Sequence, residues 1–200
     1  MLVYIETNFI FGISTRRDVN ANKLLSRINA ERRLIIPSVC SLEALVALEG
    51  QQKQLSNLLE SLDTVISQLE RNSLQKTSNE NTALIASRKA ANILFNQLKP
   101  DLSDAIGDVL SVAEVITPST NSIQKTLKNP ILISDKAMRD NLILECISEH
   151  ATVQSDTKKA FLSSNTKEFG SEQARFTLRA SGVIYFSDTT KLINWMDSQS

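Results

Sequence analysis

The sequence predicts an α/β fold with a mostly parallel central sheet and a long helical hairpin insertion. Three observations lead there. Short runs rich in strand formers recur at 2–5, 32–38, 160–165 and 182–187, each bounded by turn or helix-start residues. Helix-patterned stretches lie between them, and strands that alternate with helices build parallel sheets. From 45 to 116 the strand signal vanishes and apolar residues follow three- and four-residue steps. The 200 residues, 42% of them hydrophobic, fit a single domain over 1–200 with a helical elaboration at about 45–116.

Leu2 to Ile5 is apolar at every position, as in a parallel strand covered on both faces. A first helix is expected over 18–31, with Leu24, Leu25 and Ile28 on one stripe. "RRLIIPS" (32–38) is the second strand, and Ser38 caps the helix running through "VCSLEALVALEG". Leu45, Leu48, Leu55, Leu59, Leu62, Ile66 and Leu69 form a seam, with Gly50 as a bend or break. The polar turn "RNSLQKTSNEN", with a Thr77–Glu80 capping box, leads to a second long helix. That helix carries Leu84, Ala91, Leu94 and Leu98 up to Pro100, and a new helix opens from Asp101 or Ser103 and runs to about 116. A helical turn fits 121–128, and Ser134 caps the helix "DKAMRDNLILECISEH". "AFLSSN" and "GVIYFS" are the remaining strands, followed by "SEQARFTLRA" and "TTKLINWMD" respectively as helices.

Composition excludes several classes. The charges balance at 22 against 22, so no strong overall field draws in nucleic acid, although a local basic patch stays open. Cys40 and Cys146 lie in apolar surroundings and read as buried free thiols; no Cys/His cluster suits zinc. No secretory leader is expected, and the sequence holds no apolar run long enough for a membrane span and no Gly-rich phosphate loop. A cytoplasmic protein is the expectation. His150, the single histidine, has no Ser/His/Asp or Cys/His arrangement around it.

The acids fall at telling places. Ligand sites in open parallel sheets gather beyond the carboxyl ends of the strands. Glu6 follows the first strand, Glu43 lies early in the helix after the second, Asp140 lies early in the helix before the third, and Asn165 and Glu168 follow the third. Gathered carboxylates repel, and a hard divalent cation among them makes the cluster tolerable. Read singly, each has a plain structural role: Glu6 as a surface acid or helix cap, Glu43 as a complement to a helix dipole, Glu168 as a loop acid. Asp135 reads as a helix cap only.

"VYIETNFIFG", "IPSVCSLEAL", "RDNLILECISEHA" and "FLSSNTKEFG" resemble, in order, the four motifs of PIN domains, a family of metal-dependent ribonucleases. The resemblance implies a PIN-like three-layer fold. It implies Mg²⁺ or Mn²⁺ held by Glu6, Glu43, Asp140 and Glu168, with Thr7, Asn8 and Asn165 in support, and hydrolysis of RNA. Glu6 departs from the family's aspartate, and Asn165 is neutral, so Glu168 carries the fourth charge. The hairpin is longer than in small toxin-like members. Arg16, Arg17, Arg175 and Arg179 follow motif segments and are candidates to hold substrate phosphates. Cleavage of DNA, or a catalytically degenerate domain that binds a protein partner or inhibitor through its hairpin, stays open, as does self-association.

Overall fold

The computed structural model describes residues 1–71, 79–133, 137–154 and 157–199. The chain forms two compact units, Met1–Ala44 with Asp104–Ser200, and Leu45–Ser103. Thr77 of the expected capping box, most of the polar turn, and Ser134 and Asp135 lie outside the described residues.

Five strands build one parallel sheet: β1 (Leu2–Ile5), β2 (Arg33–Pro37), β3 (Ala113–Ile116), β4 (Lys159–Leu162) and β5 (Val183–Phe186), in the order β3-β2-β1-β4-β5. Tyr4 of the central strand pairs with Ile35 on one side and Phe161 on the other. Every residue of β1 and β4 is buried, as the unbroken apolar run of β1 and the Ala160–Leu162 run of β4 require. Burial of side chains such as Val3 and Ile5 stabilises the fold by roughly 1.5–3 kcal/mol each.

The helices are α1 (Thr7–Ser14), α2 (Ala21–Leu25), α3 (Ser38–Arg71), α4 (Asn79–Val112), α5 (Thr120–Lys128), α6 (Met138–Thr152), α7 (Glu172–Ala180) and α8 (Thr189–Ser198). Six of them form two packed groups. In one, α1 meets α2, α2 meets α8, and α8 lies on β4 and β5. In the other, α5 meets α6, α6 meets α7 and β2, and α7 lies on β5. The first unit is therefore a three-layer α/β fold. The second unit is a helical hairpin made of the greater parts of α3 and α4. Among the described residues no helix is long and apolar enough to cross a membrane.

Several expectations need correction. The helix expected over 18–31 is confined to α2, Ala21–Leu25, and a helix that was not expected, α1, precedes it at Thr7–Ser14. Glu6 caps α1, and the close approach of Asp18 to Gly12 turns the chain after it, with Asp18 N–H donating to Gly12 O at 3.1 Å. The Asn29 side chain then accepts from the Glu31 and Arg32 N–H groups and shapes the turn beyond α2. Gly50 does not break α3.

Pro100 does not end α4, which continues to Val112. The proline is exposed, so the carbonyl it leaves unpaired can be hydrated. Beyond it the structure has β3 in place of the last turn of helix. This edge strand is only four residues long and half exposed, and its pairing with β2 supplies what its own sequence lacks. In the second unit the seam of α3 is the covered stripe, including buried Leu48 and Ile66, although Leu45 is exposed. On α4 Leu94 is 56% exposed, and the covered stripe passes through Phe95 instead. Arg88 of α4 pairs with Asp63 of α3.

Candidate functional site

β1, β2 and β3 follow one another to one side, whereas β4 and β5 lie on the other. The switch point falls between β1 and β4, where open α/β sheets make a crevice beyond the carboxyl ends. Glu6 leaves β1 at this crevice, and Ser163 and Asn165 leave β4 there.

Glu6 is only 3% exposed. It caps α1 through Oε2, which accepts the Asn8 N–H at 2.7 Å. Its other oxygen, Oε1, is buried and has no hydrogen-bond partner. Burial pushes its carboxyl up to about 7, and the charges of Glu43 and Asp140 add to the rise; the Asn8 N–H and the nearby Ser163 hydroxyl oppose it. The plain reading as a helix cap is therefore correct as far as it goes. It leaves one buried oxygen, Oε1, without a partner.

Thr7 is buried beside it and donates its hydroxyl to Glu43 Oε2 at 2.5 Å, which ties the end of β1 to α3. Arg139 Nη1 lies 3.2 Å from Glu43 Oε1. Asp140, in the first turn of α6, is pushed up to about 6, first by burial and then by the charges of Glu43 and Glu168, while Arg139 opposes. Glu168 comes from the tight turn after β4. Phe169 anchors that turn on Phe161, ring centroids 5.1 Å apart, and Gly170 permits it, since a Cβ there would lie 2.3 Å from Thr166 O. Asn165 serves this turn: its N–H donates to Ser163 Oγ at 3.0 Å, and its Oδ1 accepts the Glu168 N–H at 3.3 Å.

Across segments far apart in the chain, the charges of Glu43 and Asp140 thus act on Glu6, and those of Glu43 and Glu168 on Asp140. Among the described residues, no three His, Cys, Asp or Glu side chains are grouped so as to hold a metal ion. The all-oxygen donor set, the unpartnered Glu6 Oε1 and the two raised pKa values fit a hard divalent cation. The Thr7 and Arg139 contacts hold Glu43 in its present position.

Arg139, paired with Glu43, is the neighbour of the acids that sequence reasoning passed over. Its adjacency to Asp140 was the available signal. Of the four arginines singled out, Arg17 lines a cavity of about 460 Å³ that also takes in Asn8, Ser163 and Asp188. Arg175 and Arg179 line a second, of about 360 Å³, along β5. Arg16, at φ 54°, lines neither.

A solved structure described as VapBC2 from Rickettsia felis bound to a DNA fragment from its promoter is 16% identical to this chain. The match covers 93% of this chain and 98% of that one, at a TM-score of 0.38, too weak a likeness to inform function. No curated protein sequence matches. The family model described as PIN domain matches residues 3–169. That span runs from the strand before Glu6 to the turn that closes on Phe169 and takes in the four motif segments but for the final Gly170, so the chain belongs to the PIN domain family.

Proposed function

We propose that this PIN domain is a divalent-metal-dependent endoribonuclease. The observation that carries the reading is the buried Glu6 carboxylate, with one oxygen unpartnered, coupled to Glu43 and Asp140 at the switch point of the sheet. Mg²⁺ or Mn²⁺ bound there would polarise the phosphodiester and acidify the attacking water. Glu6, Glu43, Asp140 and Glu168 would hold the ion. Thr7 steadies Glu43 through its hydroxyl, and Asn8 fixes one Glu6 oxygen, leaving the other free to bind. Asn165 sets the turn that presents Glu168. Arg139, largely exposed and paired with Glu43, would offset charge on the phosphate. Hydrolysis of this kind does not itself distinguish RNA from DNA; a contact to the 2′-OH would have to.

A second reading keeps the fold without the chemistry, as a PIN domain that only binds partners. The Glu43–Arg139 pair favours it, since an internal cation already answers that carboxylate. Incubation of labelled single-stranded RNA and DNA with Mg²⁺, Mn²⁺ or EDTA tests both. Cleavage of RNA that EDTA stops and Asp140→Asn abolishes, with the fold intact by circular dichroism, supports the nuclease. No cleavage with either metal, together with no heat on titration with Mn²⁺, supports the second reading.

A further inference from the structure

We propose that the outer edge of β5 and the adjoining face of α7 form a binding track for single-stranded nucleic acid leading toward the acidic site; the proposal rests on the nuclease reading for the identity of its ligand. Three cations, Arg175, Arg179 and Lys191, line the cavity of about 360 Å³ along β5, and no acid lines it. None of the three forms an ion pair among the described residues. In a chain whose charges cancel overall, three cations around one cavity are a local excess that suits a polyanion.

The cavity also offers what bases need. The Arg175 guanidinium lies over the Tyr185 ring, 5.3 Å from its centroid, so a planar cation is already stacked in place. Next to it on α7, Phe176 is 73% exposed. Phe176 and Arg179 are one helical turn apart and share a side of the helix. Buried Ala174 and Leu178 provide the packing face, so Phe176 is not needed for the core. Phe176 does not itself line the cavity, but an exposed aromatic one turn from a lining arginine offers a base a stacking face.

The track connects with the site. Ser187 lines both this cavity and the larger one beside it, and the larger one reaches Ser163, the neighbour of Glu6. The Tyr185 hydroxyl donates to Ser163 O at 2.8 Å, which fixes the floor of the track to the end of β4. In the larger cavity, by contrast, Arg17 is accompanied by Asp18 and Asp188. Phosphates are therefore drawn to the β5 edge.

Fluorescence anisotropy with labelled single-stranded RNA and DNA oligonucleotides in EDTA, across a salt series, tests the track without requiring cleavage. The variant Arg175→Gln/Arg179→Gln/Lys191→Gln should weaken binding at least about ten-fold and flatten the slope of log Kd against log salt by about 2, at about 0.7 for each phosphate no longer neutralised. Phe176→Ala should weaken binding about five-fold or more with the slope unchanged. Lys23→Gln/Lys128→Gln should match the parent. Unchanged affinity and slope in the triple variant, no binding by the parent chain, or displacement of the probe by polyglutamate as readily as by unlabelled oligonucleotide each overturns the track. Binding that depends on the three cations in a chain that cuts nothing leaves the track standing and sinks the nuclease; cutting that ignores them does the reverse.

Discussion

Replacing Glu6 with glutamine tests the electrostatics of the site without requiring any catalysis. The folded chain holds the Glu6 proton up to about 7, against an ordinary 4.5. Below pH 4.5 both folded and unfolded chains are protonated there, and the group adds no pH dependence. As pH rises from 4.5 to about 7 the unfolded chain releases the proton while the folded chain keeps it, so stability falls. Above about 7 the loss is complete. At 1.36 kcal/mol for each pH unit between the two values, it amounts to about 3 kcal/mol. Glutamine copies the protonated carboxyl, because its carbonyl oxygen still accepts the Asn8 N–H and it carries no charge toward Glu43 or Asp140. Glu6→Gln should therefore exceed the parent by less than about 1 kcal/mol at pH 5 and by about 3 kcal/mol at pH 8, both in EDTA. Urea unfolding followed by circular dichroism, extrapolated to water, measures the difference. A variant destabilised equally at both pH values would refute the reasoning, since Glu6 would then be a helix cap and nothing more.

Other outcomes follow from the same geometry. Mn²⁺ should raise the melting temperature more at pH 8 than at pH 5, because protonated Glu6 and Asp140 compete with the ion; at a hundred times Kd the gain is about 2.7 kcal/mol, read by differential scanning calorimetry. Arg139→Ala should change stability by less than about 1 kcal/mol, since its side chain is largely exposed, yet tighten Mn²⁺ binding in calorimetric titration by freeing Glu43; looser binding would count against the arginine as a competitor for that carboxylate. Gly170→Ala forces a Cβ onto Thr166 O and should cost about 1–3 kcal/mol in urea unfolding, while lowering cleavage further through displacement of Glu168; a silent substitution would mean that the turn is looser than it looks. Leu144→Ala, in a fully buried position on α6, should cost about 2–5 kcal/mol by the same assay.

Much of the fold was legible in the chain. β1 and the greater parts of β2 and β4 are apolar runs buried on both faces, which leaves such a run little choice of structure, and β5 is an apolar run at the sheet edge, partly covered. Cys40 and Cys146 are free and buried, as their apolar neighbours implied. What escaped depends on partners distant in sequence. β3 holds a glutamate in a four-residue segment and is a strand because β2 offers it a ladder. α1 begins at once after β1 because the Glu6 side chain caps it, an arrangement that acid-Thr-Asn signals only weakly.

The candidate site divides along the same line. Residue type and order along the chain were enough to single out Glu6, Glu43, Asp140 and Glu168, because four short motifs each carry their own acid. Their strengths as acids, and which of them is already held, are not properties of any one segment. Only the switch between β1 and β4 buries Glu6 with an oxygen unanswered, and only the packing of the first turn of α6 near α3 sets Arg139 against Glu43. Local sequence encodes a helix or a strand through side-chain periodicity and caps. Desolvation and charge coupling arise from proximity in space, which the chain acquires when the sheet closes.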